Sequence, residues 1–131
     1  MGAWAYGSFG NDDAGDWVID LSEKPNFSFL AETLQNSIDD PEDAGYNCCA
    51  VAASEVICIL DGKIPLDYEE VSHNLEPVIE LMKSQPIPTN IRQLALKSIN
   101  GIIKHSELKD LWEGDQEWEE EINALKSRLI N

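Results

Sequence analysis

The chain contains 131 residues, of which 25 are acidic and 9 are basic, so its formal net charge is −16 and its sequence pI is about 4.2. This length and a hydrophobic fraction of 43% favour a single folded domain over residues 1–131 and argue against a disordered chain. Such a strong negative charge disfavours nucleic acid and anionic membranes as partners, because it repels phosphate groups, and it favours a basic protein partner, a cation or an amine.

The sequence gives no sign of a secretion signal or a membrane span, so we expect a cytoplasmic protein. A disulfide between the neighbours Cys48 and Cys49 would be strained, and we predict that both, like Cys58, are reduced and buried. Cys48 lies near a predicted helix N-terminus, which would lower its pKa slightly. With two histidines and no Cys-x-x-Cys spacing, no metal or cofactor is predicted.

Helical periodicity begins after a lead-in, residues 2–10, that is rich in glycine and aromatic residues and has no helix or strand pattern. The first helix is predicted to begin at Asn11 or Asp12, and the second to follow Pro25. Each has an apolar stripe at helical spacing, which predicts the side that faces the core. These stripes are Ala14, Trp17, Val18 and Leu21, and then Phe27, Leu30, Leu34 and Ile38.

A third helix is predicted to start at Asp40-Pro41, with Asp40 as the capping residue and proline at the first helical position. Residues 44–60 are apolar on nearly every side, which is typical of a helix in the centre of a bundle. Asp61-Gly62 is expected to end it.

The remaining sequence also predicts helices. Pro77 should divide the segment after Leu66 into two short helices, and a loop should cover residues 84–88. An amphipathic helix follows Thr89 or Asn90, with Ile91, Leu94, Ala95, Ile99, Ile102 and Ile103 facing inward. Ser106 and Asp115 are predicted to cap a short helix with Leu108, Leu111 and Trp112 and a last helix with Trp118, Ile122, Leu125 and Leu129. We therefore predict an all-α, compact multi-helix bundle.

Charge is distributed unevenly along the chain. Residues 83–109 hold five basic residues and one acidic residue, and three of the basic residues (Arg92, Lys97 and Lys104) fall on one predicted helix. We favour internal electrostatic complementarity over a partner-binding patch as the explanation.

The opening, MGAWAYGSFGNDDAGDW, resembles the start of a largely bacterial family, domain of unknown function 4259, whose members typically begin Met-Gly-x-Trp-Gly-x-Gly-x-Phe-x-Asn-Asp. Later residues, among them Ala52 to Val56 and Trp118, follow in the order expected for that family. Ala5 departs from the pattern, since the family usually has glycine there. The resemblance implies a fold and a bacterial origin, and it implies no activity.

Four residues are candidates for a binding site. Asp12 and Asp16 lie in an acidic cluster that could hold a hard cation, although helix capping explains Asn11 and Asp12 without any metal ion. Glu55 stands in the most apolar helix, where a half-buried carboxylate could act as a general base or form structural hydrogen bonds. Trp4 is predicted to act as a clasp, packing against the helices so that it holds the lead-in to the bundle. If Trp4 is exposed instead, the opening would be a binding surface.

Two functions remain open. We favour a non-catalytic, protein-binding module, similar to inhibitors or immunity proteins, whose acidic faces bind a basic protein. The alternative is a small enzyme that uses Glu55, or Asp12 and Asp16 with a divalent metal.

Overall fold

The computed structural model describes residues 12–63, 68–104, 106–111 and 115–130. Within these ranges the chain forms helices and no strand, so the all-α prediction is confirmed. The lead-in, with Trp4 and the predicted clasp, lies outside the described residues. The helices are α1 (Asp12–Glu23), α2 (Phe27–Asp39), α3 (Ala44–Leu60), α4 (Tyr68–Met82), α5 (Ile91–Lys104), α6 (Glu107–Leu111) and α7 (Gln116–Ile130).

Helix α3 is the centre of the bundle, and each of the other described helices contacts it. Every residue from Ala50 to Ile59 is buried, as the apolar composition of this segment predicts. Small residues such as Ala52 and Ala53 let the neighbouring helices approach closely. The predicted core stripes of α1 and α7 are buried as well.

The N-terminus of α3 differs from the prediction. The helix begins at Ala44, and the capping residue is Asp43, whose Oδ1 accepts a hydrogen bond from the Tyr46 amide at 2.9 Å. Asp40 instead ends α2, where its amide donates to the Asn36 carbonyl at 3.0 Å. The prediction was wrong by three residues because one Asp-Pro-Glu-Asp segment offers two capping carboxylates and the chain needs a turn between the two helices.

The C-terminus of α3 is a Schellman turn. The amide of Lys63 donates to the Cys58 carbonyl at 2.8 Å, and the amide of Gly62 donates to the Ile59 carbonyl at 3.0 Å. Gly62 has a φ of +85°, which favours glycine because an L side chain would be strained there. This turn fixes the positions of Asp61 and Lys63, which belong to the charge cluster described below.

Helix α4 is continuous through Pro77, so the predicted division into two helices was wrong. Proline lacks the amide that would donate to the carbonyl four residues earlier, and this loss normally kinks or ends a helix. Here Pro77 lies on the exposed side, while Leu75 and Val78 are buried on the side that packs against α1 and α3. Tertiary packing therefore outweighs the local effect of proline.

The caps predicted for the last two helices are confirmed. Ser106 Oγ accepts a hydrogen bond from the Lys109 amide at 2.9 Å, and Asp115 Oδ1 accepts one from the Trp118 amide at 3.1 Å. Leu108 is buried in α6, whereas Leu111 is exposed. Trp112 lies outside the described residues.

Candidate functional site

Glu55 forms an ion pair with Arg128 that joins α3 to α7. The Glu55 side chain is 1% exposed, and Arg128 Nη2 donates to its two oxygens at 2.7 and 2.9 Å. A third hydrogen bond runs from Arg128 Nε to Oε1 at 3.1 Å. Such a two-pronged contact is among the stronger hydrogen-bonded pairs in proteins, and here it holds the buried carboxylate against the half-buried guanidinium of Arg128.

A second ion pair extends this arrangement to α5. Asp61 accepts from both terminal nitrogens of Arg92, at 2.7 and 2.8 Å, and lies 3.2 Å from Lys63 Nζ. Lys63 Nζ also donates to the Arg128 carbonyl at 3.0 Å. We call Glu55, Asp61, Lys63, Arg92 and Arg128 the charge cluster. It ties the end of α3 to both α5 and α7.

The charge cluster affects the titration of its members. Hydrogen bonds from Arg92 hold the pKa of Asp61 well below its usual range, against a smaller opposing effect of burial. Asp61 is therefore ionised across the neutral pH range. The pairing of Arg92 agrees with the internal complementarity that the sequence suggested.

The cysteines are free, and their surroundings keep the thiols protonated at neutral pH. Burial raises the pKa of Cys58 to about 12, and the neighbouring Glu55 adds to the effect. Burial and Asp13 likewise raise the pKa of Cys48 and of Cys49 to about 12. The slight lowering expected for Cys48 was wrong, because burial outweighs any effect of the helix N-terminus. Cys48 and Cys58 are buried as predicted, and Cys49 is partly buried.

Asn47, two turns before Glu55, has a structural role. It is fully buried, its Nδ2 donates to Ser37 Oγ at 3.1 Å, and its Oδ1 accepts from the Leu108 amide at 3.2 Å. These bonds join α2, α3 and α6.

The acidic residues of α1 lie on the surface. Asp13 and Asp16 are exposed, and Asp12 begins the helix, although its side chain is outside the described part. Among the described residues, no group of three or more potential metal ligands comes together. Glu55 and Asp16 thus occupy separate places, one in the core and one at the surface.

A cleft between α1, α2 and α3 was not recognised from the sequence. Trp17 and Phe29 stack with their ring centroids 5.9 Å apart, and Trp17 Nε1 donates to Thr33 Oγ1 at 2.9 Å. Beside them lies a cavity of about 180 Å³. We call it the acidic cleft; it is lined by Trp17, Asp20, Phe29, Glu32, Thr33, Asn36, Tyr46 and Cys49. A usable signal was present, since Phe29 is an aromatic residue outside the core stripe of its helix.

These features define a small all-α bundle built around a central apolar helix, in a chain with a net charge of −16. The family model for a domain of unknown function, DUF4259, matches residues 2–123, and the chain belongs to this family. No curated protein and no solved structure matches the chain. In the described part of the chain, no helix is both long and apolar enough to cross a membrane.

Proposed function

We propose that the protein is a non-catalytic binding module that receives a basic side chain of a partner protein in the acidic cleft. The observation that carries this proposal is the combination of carboxylates and aromatic rings around one cavity. Asp20 and Glu32 are exposed, and Tyr46 is a large aromatic residue that is 41% exposed. A guanidinium or ammonium group is attracted both by carboxylates and by an aromatic face.

The surroundings of the cleft support the same class of partner. Asp13 and Asp16 are exposed on α1, and the whole chain carries a net charge of −16. A field of this sign attracts basic proteins and increases their association rate at low ionic strength. It also disfavours nucleic acid and anionic membranes, and we propose no such partner.

The arrangement of Glu55 supports binding over the alternative enzyme. Its carboxylate is 1% exposed and is covered by Arg128, so a substrate at the surface would not reach it without movement of α7. The three thiols are protonated at neutral pH and are therefore poor nucleophiles. The free cysteines also support our proposal that the protein works in the cytoplasm.

The test uses a short peptide with two arginines and, as a matched neutral ligand, the same peptide with citrulline in both positions. We expect calorimetry to detect binding of the arginine peptide only, with an affinity that falls as the salt concentration rises. The double variant Asp20→Asn/Glu32→Gln should weaken binding of the arginine peptide by about tenfold or more, since two carboxylate contacts are lost.

The control is Glu117→Gln/Glu119→Gln, which changes the net charge equally at exposed positions of α7. This pair should reduce the affinity by only about twofold, through the general field. Equal losses of affinity for the arginine peptide in the two double variants would contradict a binding site at the acidic cleft. Binding of the citrulline peptide as tight as that of the arginine peptide would contradict recognition of a cation.

A further inference from the structure

A second groove lies between α2 and α5, and the charged residues that line it are basic. It encloses about 290 Å³ and has Lys97 and Lys104 on its α5 side, with Ile38, Pro41 and Ile102 among its apolar residues. Both lysines are exposed, and neither forms an ion pair within the described ranges. Arg92, on the same helix, is paired with Asp61. Internal complementarity therefore accounts for Arg92 but leaves the two lysines unexplained.

A buried hydroxyl in the groove also lacks a partner. Ser98 is 2% exposed and lines the groove, and in the described part of the chain its Oγ is the only buried side-chain polar atom without a hydrogen-bond partner. Buried polar groups are nearly always paired, because removing them from water without compensation is unfavourable. Ser37, on the opposite wall, already accepts a hydrogen bond from Asn47. The free hydroxyl of Ser98 is thus available to a ligand.

Gly101 keeps the groove open. It lies between the two lysines on α5, and a Cβ added there would meet nothing within 4 Å. Glycine weakens a helix interior, and in this case neither backbone conformation nor a close contact requires it. A second, more open cavity of about 540 Å³ shares Lys97, Gly101 and Lys104, so Gly101 borders both cavities.

We propose that the α2–α5 groove binds a small carboxylic acid with an apolar chain. Lys97 and Lys104 are two turns apart, about 10 Å along the helix axis, so their flexible stems can bring both ammonium groups to one head group. The apolar residues contact the chain, and Ser98 donates a hydrogen bond to the ligand. The apolar lining favours a head group that carries a chain, as a fatty carboxylate does, and the two lysines supply its positive partners because both arginines of the protein are engaged in the charge cluster.

Calorimetry with octanoate as the probe tests this site on the full chain. We expect a Kd below about 1 mM for octanoate, and binding at least about tenfold weaker for 1-octanol, which keeps the chain but lacks the charge. Lys97→Gln/Lys104→Gln should weaken octanoate binding by about tenfold or more. The matched control, Lys24→Gln/Lys83→Gln, removes two exposed lysines elsewhere and should change the affinity by less than about twofold.

Two further variants separate binding from folding. Gly101→Leu should abolish octanoate binding by filling the groove while leaving the melting temperature unchanged or raised, because leucine favours helix. Ser98→Ala should weaken binding several-fold and raise the melting temperature, since it removes an unpaired hydroxyl.

Three results would overturn the proposal. Octanol could bind as tightly as octanoate, the two double-lysine variants could lose affinity equally, or Gly101→Leu could retain full binding. Tighter binding of inorganic phosphate or of a glutamate-rich peptide than of octanoate would likewise contradict it, because such ligands have no apolar chain. The site is independent of the acidic cleft, so either can fail without the other.

Discussion

At the scale of single residues, Glu55 is the only buried charged side chain among the side chains whose burial the structure describes. Transfer of a carboxylate into a core is unfavourable unless a cation and hydrogen bonds compensate, and Arg128 provides both. The two groups therefore depend on each other. Loss of one partner should therefore lower the free energy of unfolding more than loss of both partners.

A double-mutant cycle tests this dependence. Arg128→Met removes the guanidinium that pairs with the buried Glu55 carboxylate and should reduce the free energy of unfolding by about 3–5 kcal/mol. Adding Glu55→Gln to that variant should restore more than half of the loss, because the buried charge is gone. The measurement is urea unfolding of the wild type, both single variants and the double variant. Strictly additive losses would show that the two side chains act independently.

Asp61 gives the stability a pH dependence. Its pKa is lower in the folded state than the value of about 3.9 in an unfolded chain, so its contribution is fully present above about pH 5 and declines as the pH falls toward the folded pKa. We expect Asp61→Asn to lower the free energy of unfolding by about 1 kcal/mol at pH 7, because the pair is partly exposed. At pH 2.5 the wild type and Asp61→Asn should differ less in their free energies of unfolding than at pH 7. A gap that stays constant in urea unfolding at both pH values would contradict this assignment.

At the scale of elements, capping and packing decide where the helices begin and whether they continue. Asp43 caps α3 through a side-chain hydrogen bond, whereas Glu42 beside it is exposed and makes no such contact in the described structure. In α4, packing of the buried side keeps a helix that proline would otherwise interrupt. Each of these two effects gives a prediction.

The cap of α3 can be tested with neighbouring residues. Asp43→Ala should lower the free energy of unfolding by about 1 kcal/mol, since it leaves the Tyr46 amide without its acceptor. Glu42→Ala removes the same charge and should have an effect within about 0.5 kcal/mol of zero. Thermal and urea unfolding of the two variants measure the difference. A larger loss from Glu42→Ala than from Asp43→Ala would contradict the assignment of Asp43 as the cap.

Pro77 should limit the stability of α4. Pro77→Ala restores a backbone donor and removes a ring from the helix, and we expect the free energy of unfolding to rise by about 1–3 kcal/mol. Pro86→Ala, in the loop after α4, is the control and should be neutral or slightly destabilising because it makes the unfolded chain more flexible. Circular dichroism during thermal unfolding provides the comparison. If Pro77→Ala lowers the melting temperature, proline fixes a bend that the bundle needs.

The sequence predicted the helices well because their apolar periodicity is local information. The C-terminal end of the central helix and the caps Ser106 and Asp115 followed from a few neighbouring residues. The partner of Glu55 could not be predicted in this way, because Arg128 is 73 residues away and only the tertiary fold brings them together. The continuity of α4 through Pro77 was missed for the same reason, since it depends on packing against other helices.

At the scale of the whole molecule, the excess of acidic over basic residues opposes compaction. The charge of −16 creates repulsion between exposed carboxylates, and only a few of them are paired in the described structure. Both arginines belong to the charge cluster, where each connects two helices through an ion pair. They are therefore not available to offset the negative charge of the outer surface. The result is a fold whose stability should depend on ionic strength.

We expect the melting temperature to rise by roughly 5 °C when sodium chloride is raised from about 10 mM to about 300 mM, since screening weakens repulsion among many carboxylates. A variant with Glu117, Glu119 and Glu120 replaced by glutamine should show a smaller rise. Differential scanning calorimetry measures both proteins at the same two salt concentrations. A melting temperature that falls with salt would mean that attractive pairs dominate the electrostatics.

The central position of α3 also bears on how this sequence can change over evolutionary time. Between Ala50 and Ile59 no position faces solvent, so every substitution there must fit against a neighbouring helix. A larger side chain at Ala52 or Ala53 would require a matching change in another helix, which single mutations rarely supply. This segment should therefore accept the fewest amino acids in a library that samples all single substitutions, and lineages of the family should diverge mainly on the outer faces of the other helices.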